Sequence, residues 1–261
     1  MEMLAIVMPT LSASSVTLIF GTPGHVAPLS SPPICSTSAS SRIVPWSTGA
    51  AVTTPPAGLV LSSAPGGRPC AKTMAERPFA PTFSAQPDSP AALAYTPYRL
   101  RIDRGDGEQE IKGMDVTLPP GATAKLAGVA YCPDAALAAA AANAGTAEQA
   151  SPSCPDDSRV GGATILAGTG AAPLRIEGRA YLAGAHQGAP LSLAILTPAV
   201  AGPFDLGTGA VRVPLFVDPE TARIRAATTA IPDVFGGAKL DVRQIAVDLD
   251  RREFTLNGSS C

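Results

Sequence analysis

The feature that most constrains this chain is a repeated alternation of apolar and polar residues between about Arg99 and Leu256. Every second residue is apolar from Val211 to Val217, and the same holds from Ile245 to Leu249. Side chains alternate between the two faces of a β-strand, so this period places one face in a core and the other in water. The pattern therefore predicts a protein built from short strands.

Glycine and proline punctuate this pattern often enough to separate the strands by turns. The chain has 25 glycines and 27 prolines, and aromatic residues make up only 5% of it. Roughly eight to ten strands with a turn about every 8–12 residues predict an all-β fold, an antiparallel β-sandwich that is Ig-like or related. The predicted strands are Tyr98–Asp103, Met114–Leu118, Arg159–Ala167, Leu174–Ala183, Leu191–Thr197, Val211–Val217, Arg223–Thr229, Leu240–Asp250 and Phe254–Leu256.

Local signals predict the connections between these strands. Asp106-Gly107 is a hairpin turn signal, and the segments 184–188 and Asp218-Pro219-Glu220 are typical of hairpin loops. One interruption of the pattern, Asp134–Ala142, is rich in alanine and follows Pro133, which favours a single short helical insertion. The segment 145–155 is predicted to be a loop.

The first part of the chain differs in composition from the rest. Residues 1–67 contain only two charged side chains, Glu2 and Arg42, and show no sustained period of 2 or 3.6. Such a segment buries too little apolar surface to offset its ordering entropy. We expect residues 1–75 to be a disordered or mis-started N-terminal segment and 76–261 to hold the β-sandwich domain or domains. The alternative is that Met3–Phe20 is a signal peptide or a membrane anchor.

Charge and cysteine content narrow the class of protein. The net charge is −2 and the basic residues are scattered, so the sequence predicts no nucleic-acid partner. Five cysteines leave at least one outside an intramolecular pair. A zinc site is disfavoured, because the sequence has no C-x-x-C motif and only two histidines. We predict no catalytic residue, cofactor or firm metal site.

Several segments between about Phe79 and Cys261 together carry a family resemblance. They are Asp106–Gln109, Thr117–Gly121, Ala124–Val129, Ala183–Leu191, Thr197–Thr208, Val217–Ala222 and Ala246–Arg251. The chain resembles a family of uncharacterised, multi-domain extracellular or surface proteins of high-GC Gram-positive bacteria. This resemblance implies a secreted or cell-surface location, neighbouring β domains in a longer native chain, and a sequence that is a fragment of one repeat region.

The extracellular resemblance favours a disulfide between Cys132 and Cys154, which flank the predicted helix and loop. The alternative is two surface thiols. Leu137 is the only large apolar residue between Pro133 and Ser153, so a covalent tie would help hold this segment against the strands. No partner is assigned to Cys35 or Cys70, and Cys261 is expected to be free.

Asp103, Asp106 and Glu108 form a weak candidate calcium site, because a short turn can supply several carboxylate oxygens. The EF-hand pattern is absent, and a solvated acidic turn is the favoured interpretation. The same turn contains the tripeptide Arg104-Gly105-Asp106. One hypothesis is that it binds an adhesion receptor, but we favour the interpretation that it is a charged hairpin tip.

The sequence as a whole predicts a non-catalytic structural module of a secreted or cell-surface protein. The alternative is an adhesion module that binds a surface glycan or a protein, for which a cluster of tyrosines would be evidence. The tyrosines in the folded part are Tyr95, Tyr98, Tyr131 and Tyr181. A hydrolase is the least favoured class, because it needs paired carboxylates across a cleft, and Asp241 and Asp248–Asp250 look like an ordinary outer face.

Overall fold

The fold was taken from a computed structural model. The structure describes residues 36–39, 42–43, 49–60, 62–168, 170–228, 231–232, 234–235 and 238–259. The strands of this part are β1 (Ser36–Ala39), β2 (Arg42–Ile43), β3 (Val52–Thr53), β4 (Ala57–Val60), β5 (Thr82–Pro87), β6 (Tyr98–Asp103), β7 (Met114–Thr117), β8 (Thr123–Ala124), β9 (Arg159–Ala167), β10 (Leu174–Ala183), β11 (Leu191–Ala201), β12 (Phe204–Val217), β13 (Ile224–Thr228), β14 (Val234–Phe235), β15 (Ala238–Lys239), β16 (Val242–Leu249) and β17 (Thr255–Leu256). The helices are α1 (Asp134–Ala142) and α2 (Gly145–Ala150), and single 3₁₀ turns cover Pro65–Gly67, Met74–Glu76 and Asp156–Ser158.

Nine strands form one continuous antiparallel sheet in the order β5-β6-β16-β9-β10-β11-β12-β13-β7. The sheet curls into a half-barrel, which gives it a concave and a convex face. The strands from β9 to β13 follow one another as hairpins, and β16 returns from late in the chain to lie between β6 and β9. The predicted antiparallel, mostly β fold is confirmed in this form.

The strand pairing does not show the two packed sheets that the predicted Ig-like sandwich requires. The two strands at the ends of the order, β5 and β7, belong to the same sheet. Two helices, rather than a second sheet, cover the convex face in the described part of the chain. Period-2 patterning sets which face of each strand is apolar, but it does not state whether the strands close one curved sheet or divide into two.

The predicted β10–β11 and β12–β13 hairpins are confirmed. In the first turn Gln187 and Gly188 have positive φ, and His186 and Ala189 exchange backbone hydrogen bonds. In the second turn the Asp218 carboxylate accepts hydrogen bonds from the backbone N–H groups of Glu220 and Thr221. These bonds hold the pKa of Asp218 below its ordinary value, and they show why an aspartate begins this turn.

The hairpin predicted at Asp106-Gly107 is wrong. β6 pairs with β5 and β16, whereas β7 pairs with β13 at the far edge of the sheet. The turn residues have the expected conformation, with Gly107 at positive φ. A turn signal reports local backbone geometry, and here the chain after the turn crosses to the opposite edge instead of returning beside β6.

The helical insertion was partly predicted. The bounds of α1 match the expected Asp134–Ala142, and Cys132 and Cys154 are joined by the expected disulfide. The segment 145–155, predicted to be a loop, contains the second helix, α2, and a 3₁₀ turn. α2 begins at a glycine, and its propensity is weak by itself, so contacts with the sheet decide its conformation.

The sheet is buried on both faces at its centre. The concave side carries one cluster of buried residues, which includes Val160, Ala180, Leu182 and Ile245. The convex side carries a second cluster under the helices, in which Tyr181, Ala194 and Leu196 are almost fully buried. These are alternate positions of the same strands, as the period-2 pattern requires.

Only part of the N-terminal segment is within the described residues. β1 pairs with β4 and β2 with β3, as small two-stranded units outside the nine-stranded sheet. Most of residues 1–75, the Met3–Phe20 segment, Cys35 and Cys261 lie outside the described residues. Cys70 is disulfide-bonded. Among the described helices, none is long and apolar enough to cross a membrane.

Two adjacent glycines of β9 differ sharply in the space around them. A Cβ on Gly161 would clash with the Asp248 carbonyl group of β16, whose carbon would lie 2.9 Å away, and would lie 3.0 Å from Leu249 Cα. The nearest atom to a Cβ on Gly162 would be 3.7 Å away, at an ordinary contact distance. Gly161 therefore allows β16 to lie close beside β9.

We expect Gly161→Ala to destabilise the fold by at least about 2 kcal/mol, because β16 must shift away from β9. The matched Gly162→Ala variant should not be destabilised, and the lower conformational entropy of its unfolded chain should add about 0.4–1 kcal/mol of stability. Urea unfolding followed by circular dichroism measures both. Equal effects of the two substitutions would contradict the close β9–β16 approach.

Candidate functional site

The acidic turn does not gather its carboxylates around a common point. The Asp103 carboxylate pairs with Arg101 at 2.6 Å. Asp106 accepts a hydrogen bond from the Gly170 N–H at 2.9 Å and lies 3.1 Å from the Arg243 guanidinium. Asp103 and Asp106 thus pair with different arginines.

The third candidate, Glu108, is only 7% exposed, so the favoured interpretation of a solvated turn is wrong for this residue. Its carboxylate accepts a hydrogen bond from the Gly105 N–H, which closes the turn from within. Among the described residues, no group of three or more His, Cys, Asp and Glu side chains is placed to hold a metal ion.

Arg104 of the Arg-Gly-Asp tripeptide is a buried structural residue. Its guanidinium donates to the carbonyl oxygens of Val242 at 2.6 Å and Glu108 at 3.0 Å, and it forms an ion pair with Asp241. The Arg104 side chain has no solvent exposure. It ties the end of β6 to the start of β16, and it is not accessible to a receptor.

A disulfide joins the two ends of the helical cover, and an arginine of β12 pairs with the start of its first helix. Cys132 and Cys154 are 1% and 3% exposed, with 5.3 Å between their Cα atoms, which suits a disulfide. Arg212 of β12 forms a 2.9 Å ion pair with Asp134 at the start of α1 and donates to the Ser192 hydroxyl. The geometry of Cys132 and Cys154 confirms the predicted disulfide.

The start of α2 is held by a carboxylate from the sheet. Asp205 of β12 accepts hydrogen bonds from the N–H groups of Gly145, Thr146 and Gly207, and from the Thr146 hydroxyl. The bonds from Thr146, followed by those from Gly207 and Gly145, hold the pKa of Asp205 far below its ordinary value. Sequence reasoning missed this contact, because the cap comes from a strand distant along the chain.

A buried carboxylate closes the other end of the helical cover. Glu148 of α2 is 1% exposed. It accepts hydrogen bonds from the Asn143 side-chain amide at 3.1 Å, from the Ser153 N–H at 2.9 Å and from the Ser153 hydroxyl at 2.6 Å. These partners join the end of α1, the middle of α2 and the residue before Cys154.

The tyrosines do not form a shared platform. Tyr98 is 7% exposed and Tyr181 is fully buried under the helices, so burial raises the pKa of both phenols. Tyr95 and Tyr131 are each 48% exposed. His186 lies in the β10–β11 turn, as predicted.

The concave face of the half-barrel carries an open apolar cavity. Its volume is about 140 Å³. Thr197 and Thr228 are the only side chains with polar atoms among the described residues that line it. The lining residues are Phe83, Leu100, Ile102, Met114, Val116, Ile165, Ile176, Leu193, Ile195, Thr197, Ala199, Gly209, Val211, Val213, Ala226, Thr228, Ile231, Pro232, Phe235, Leu240, Val242, Ile245 and Val247.

A covering segment between β13 and β16, of which residues 231–232, 234–235 and 238–240 are described, contributes to the wall of this cavity. Phe235 of the β14–β15 pair places its ring against the backbone of β12, so that a Cβ on Gly207 or Gly209 would lie 3.7 or 3.6 Å from the ring. Ile231, Pro232 and Leu240 flank it in the cavity wall. The lining thus combines strands from both ends of the sheet with this covering segment.

Sequence reasoning did not identify the cavity, although its signal is present in the alternation. Ile195, Val211 and Val213 occupy the apolar parity that the pattern assigns to a core. Only the curvature of the sheet turns that parity into the wall of a cavity.

Comparisons of the chain with protein-family models, with curated proteins and with solved structures found no match.

Loss of the Cys132–Cys154 disulfide should lower the free energy of unfolding by about 3 kcal/mol, because the bond restricts a 22-residue loop in the unfolded chain. We expect the single variants Cys132→Ala and Cys154→Ala and the double variant to lose similar amounts, since each removes the same bond. Thermal unfolding measures all three. Additive losses would show that the thiols act separately.

Asp205→Asn should lower the melting temperature at neutral pH, because the amide replaces an acceptor oxygen with a donor that faces N–H groups. The folded-state pKa of Asp205 is lowered, so its contribution is present above the ordinary carboxyl value of about 4 and is lost as the pH falls below it. The difference between the two proteins should therefore shrink on acidification. The exposed Asp250→Asn serves as the control, and a pH-independent difference would contradict the charged cap.

Proposed function

We propose that this chain is a non-catalytic structural module of a secreted or cell-surface protein and works without a cofactor. The observation that carries the proposal is the buried disulfide that joins the two ends of the helical cover and packs in the cluster on the convex face of the sheet. Structural disulfides persist in oxidising compartments and are rare in the cytosol. The sequence resemblance to multi-domain extracellular proteins supports the same location.

The charged side chains support a structural role through the contacts that they make. Arg225 of β13 pairs with Asp115 of β7, and Arg99 of β6 lies 3.4 Å from Asp248 of β16. These exposed pairs contribute little stability individually, but they join neighbouring strands. Of the carboxylates considered for a hydrolase, Asp241 pairs with the buried Arg104 and Asp248 with Arg99.

We propose that the module's partners are neighbouring β domains of a longer chain. Among the described strands, the edges of the sheet are β5, of six residues, and β7, of four residues, and neither pairs with a further described strand. Short edge strands limit indiscriminate pairing, yet they leave backbone groups available to an adjoining domain. The exposed Phe79 and Phe83 lie beside or within the β5 edge and add apolar contact area.

The alternative of a carbohydrate-binding module has weaker support. Sugar rings are commonly held by exposed aromatic platforms, and two of the four tyrosines in the folded part are buried. An adhesion role through the Arg-Gly-Asp tripeptide would require an accessible Arg104, which is buried. A protein partner at the β5 and β7 edges fits the structural role proposed above.

Surface labelling of the native cells tests the proposal. Intact cells are treated with protease and with a membrane-impermeant amine label, and the peptides of residues 76–261 are identified by mass spectrometry with differential alkylation of thiols. We expect the module to be labelled and cleaved on intact cells, with Cys132 and Cys154 protected from alkylation until reductant is added. Protection of the module until lysis, with both thiols alkylated directly, would refute the location and the role. A cytosolic protein of the same cells is the control.

A further inference from the structure

We propose that the concave cavity is a binding site for an uncharged apolar molecule whose hydrocarbon group is about the size of one ring or a short aliphatic chain. This site does not depend on the structural role proposed above. A structural module needs no ligand, and a ligand could bind whether or not the module belongs to a surface array.

The lining sets the chemical class of the occupant. The described lining includes no charged side chain, and its two hydroxyl groups belong to Thr197 and Thr228. The Thr197 hydroxyl already contacts the Gly209 carbonyl oxygen at 3.4 Å, and Thr228 is 6% exposed. A charged group, or a peptide segment with its N–H and C=O groups, would lose its hydration here without gaining partners. An uncharged hydrocarbon carries no such penalty.

The volume sets the size of the occupant. At about 140 Å³ the cavity is close to the engineered apolar cavity of about 150 Å³ that stays dry and binds benzene. It is well below the range of about 300–1,000 Å³ that holds drug-sized ligands. The occupant is therefore a single ring or a chain of about six carbons.

The walls of the cavity are formed before any ligand binds. Phe83 of β5 and Met114 of β7 come from opposite edges of one hydrogen-bonded sheet, and Phe235 of the covering segment lies against β12. A pre-formed site avoids the cost of ordering loops on binding. Ala226 of β13 is a small residue in this wall, so a larger side chain at this position would take up the ligand's volume.

Two adjacent alanines of β13 allow a matched test. Ala226 faces the cavity, whereas Ala227 lies at the next position, on the opposite face of the strand. The proteins compared are the unmodified chain, Ala226→Phe and Ala227→Phe. The probes are benzene and benzoate, which share a ring but differ in charge, and the readout is the melting temperature against probe concentration.

We expect benzene to raise the melting temperature of the unmodified chain and of Ala227→Phe by a few degrees, in proportion to the logarithm of its concentration above Kd. Benzoate should have no such effect, and Ala226→Phe should lose the response to benzene. The absence of a benzene effect in the unmodified chain would overturn the proposal. An equal effect in Ala226→Phe, or an equal effect of benzoate, would also overturn it.

Methyl NMR of the unmodified chain keeps the proposal testable if Ala226→Phe does not fold. Benzene should shift the methyl signals of Ile195 and Val213 in the cavity wall and leave those of Leu137 and Leu196 on the convex side unchanged. Shifts on the convex side alone would overturn the proposal. A second outcome would also overturn it: sedimentation shows a concentration-dependent dimer, and benzene does not shift the methyl signals of the concave face. A second copy of the chain would then be the occupant.

Discussion

The pairing of β16 between β6 and β9 is the interaction on which the rest of the structure depends. Ile245 is opposite Ile102 on one side and Ile165 on the other, so this strand joins the early pair β5–β6 to the hairpins from β9 onward. Without it the nine-stranded sheet would divide into two parts. The Arg104–Asp241 pair and the missing side chain of Gly161 both lie at this junction and let the strands approach.

The curvature that results gives the two faces different roles. The convex side of β10–β12 is covered by α1 and α2, which carry few large apolar residues and are held by the disulfide, by Arg212 and by Asp205. The concave side is lined almost entirely by aliphatic side chains and is left partly open. Both faces of the sheet carry apolar residues, and the helices supply the second layer that buries the convex one.

The polar residues at the centre of the protein have specific partners that explain their burial. Glu148 is satisfied by Asn143 and Ser153, and the Arg104 guanidinium by two backbone carbonyls and Asp241. Buried charges without such partners are costly, so these groups specify how the turns and helices sit against the sheet.

Much of the local structure could be predicted from the residues alone. β9 and β10 begin and end where alternation and turn residues indicate, α1 has its predicted bounds, and the Cys132–Cys154 pair was identified correctly. These features depend on period, on propensity and on residues close in the chain. The strand-supplied cap of Asp205 and the conformation of α2 escaped prediction, because both depend on contacts between distant segments.

The sequence by itself determined where β6, β9 and β10 begin and end and which parity of these strands is apolar, because these follow from side-chain alternation and local turns. It did not predict β5 or the first half of β12. Only the tertiary structure decided that β7 lies at the edge opposite β5, that the sheet curves as one layer, and that Arg104 is buried. The physical reason is that strand neighbours are chosen by long-range hydrogen bonding and packing. The period of two in a strand's sequence does not depend on which strand pairs with it. The cavity on the concave face therefore forms only when the order of the strands has brought its lining residues together.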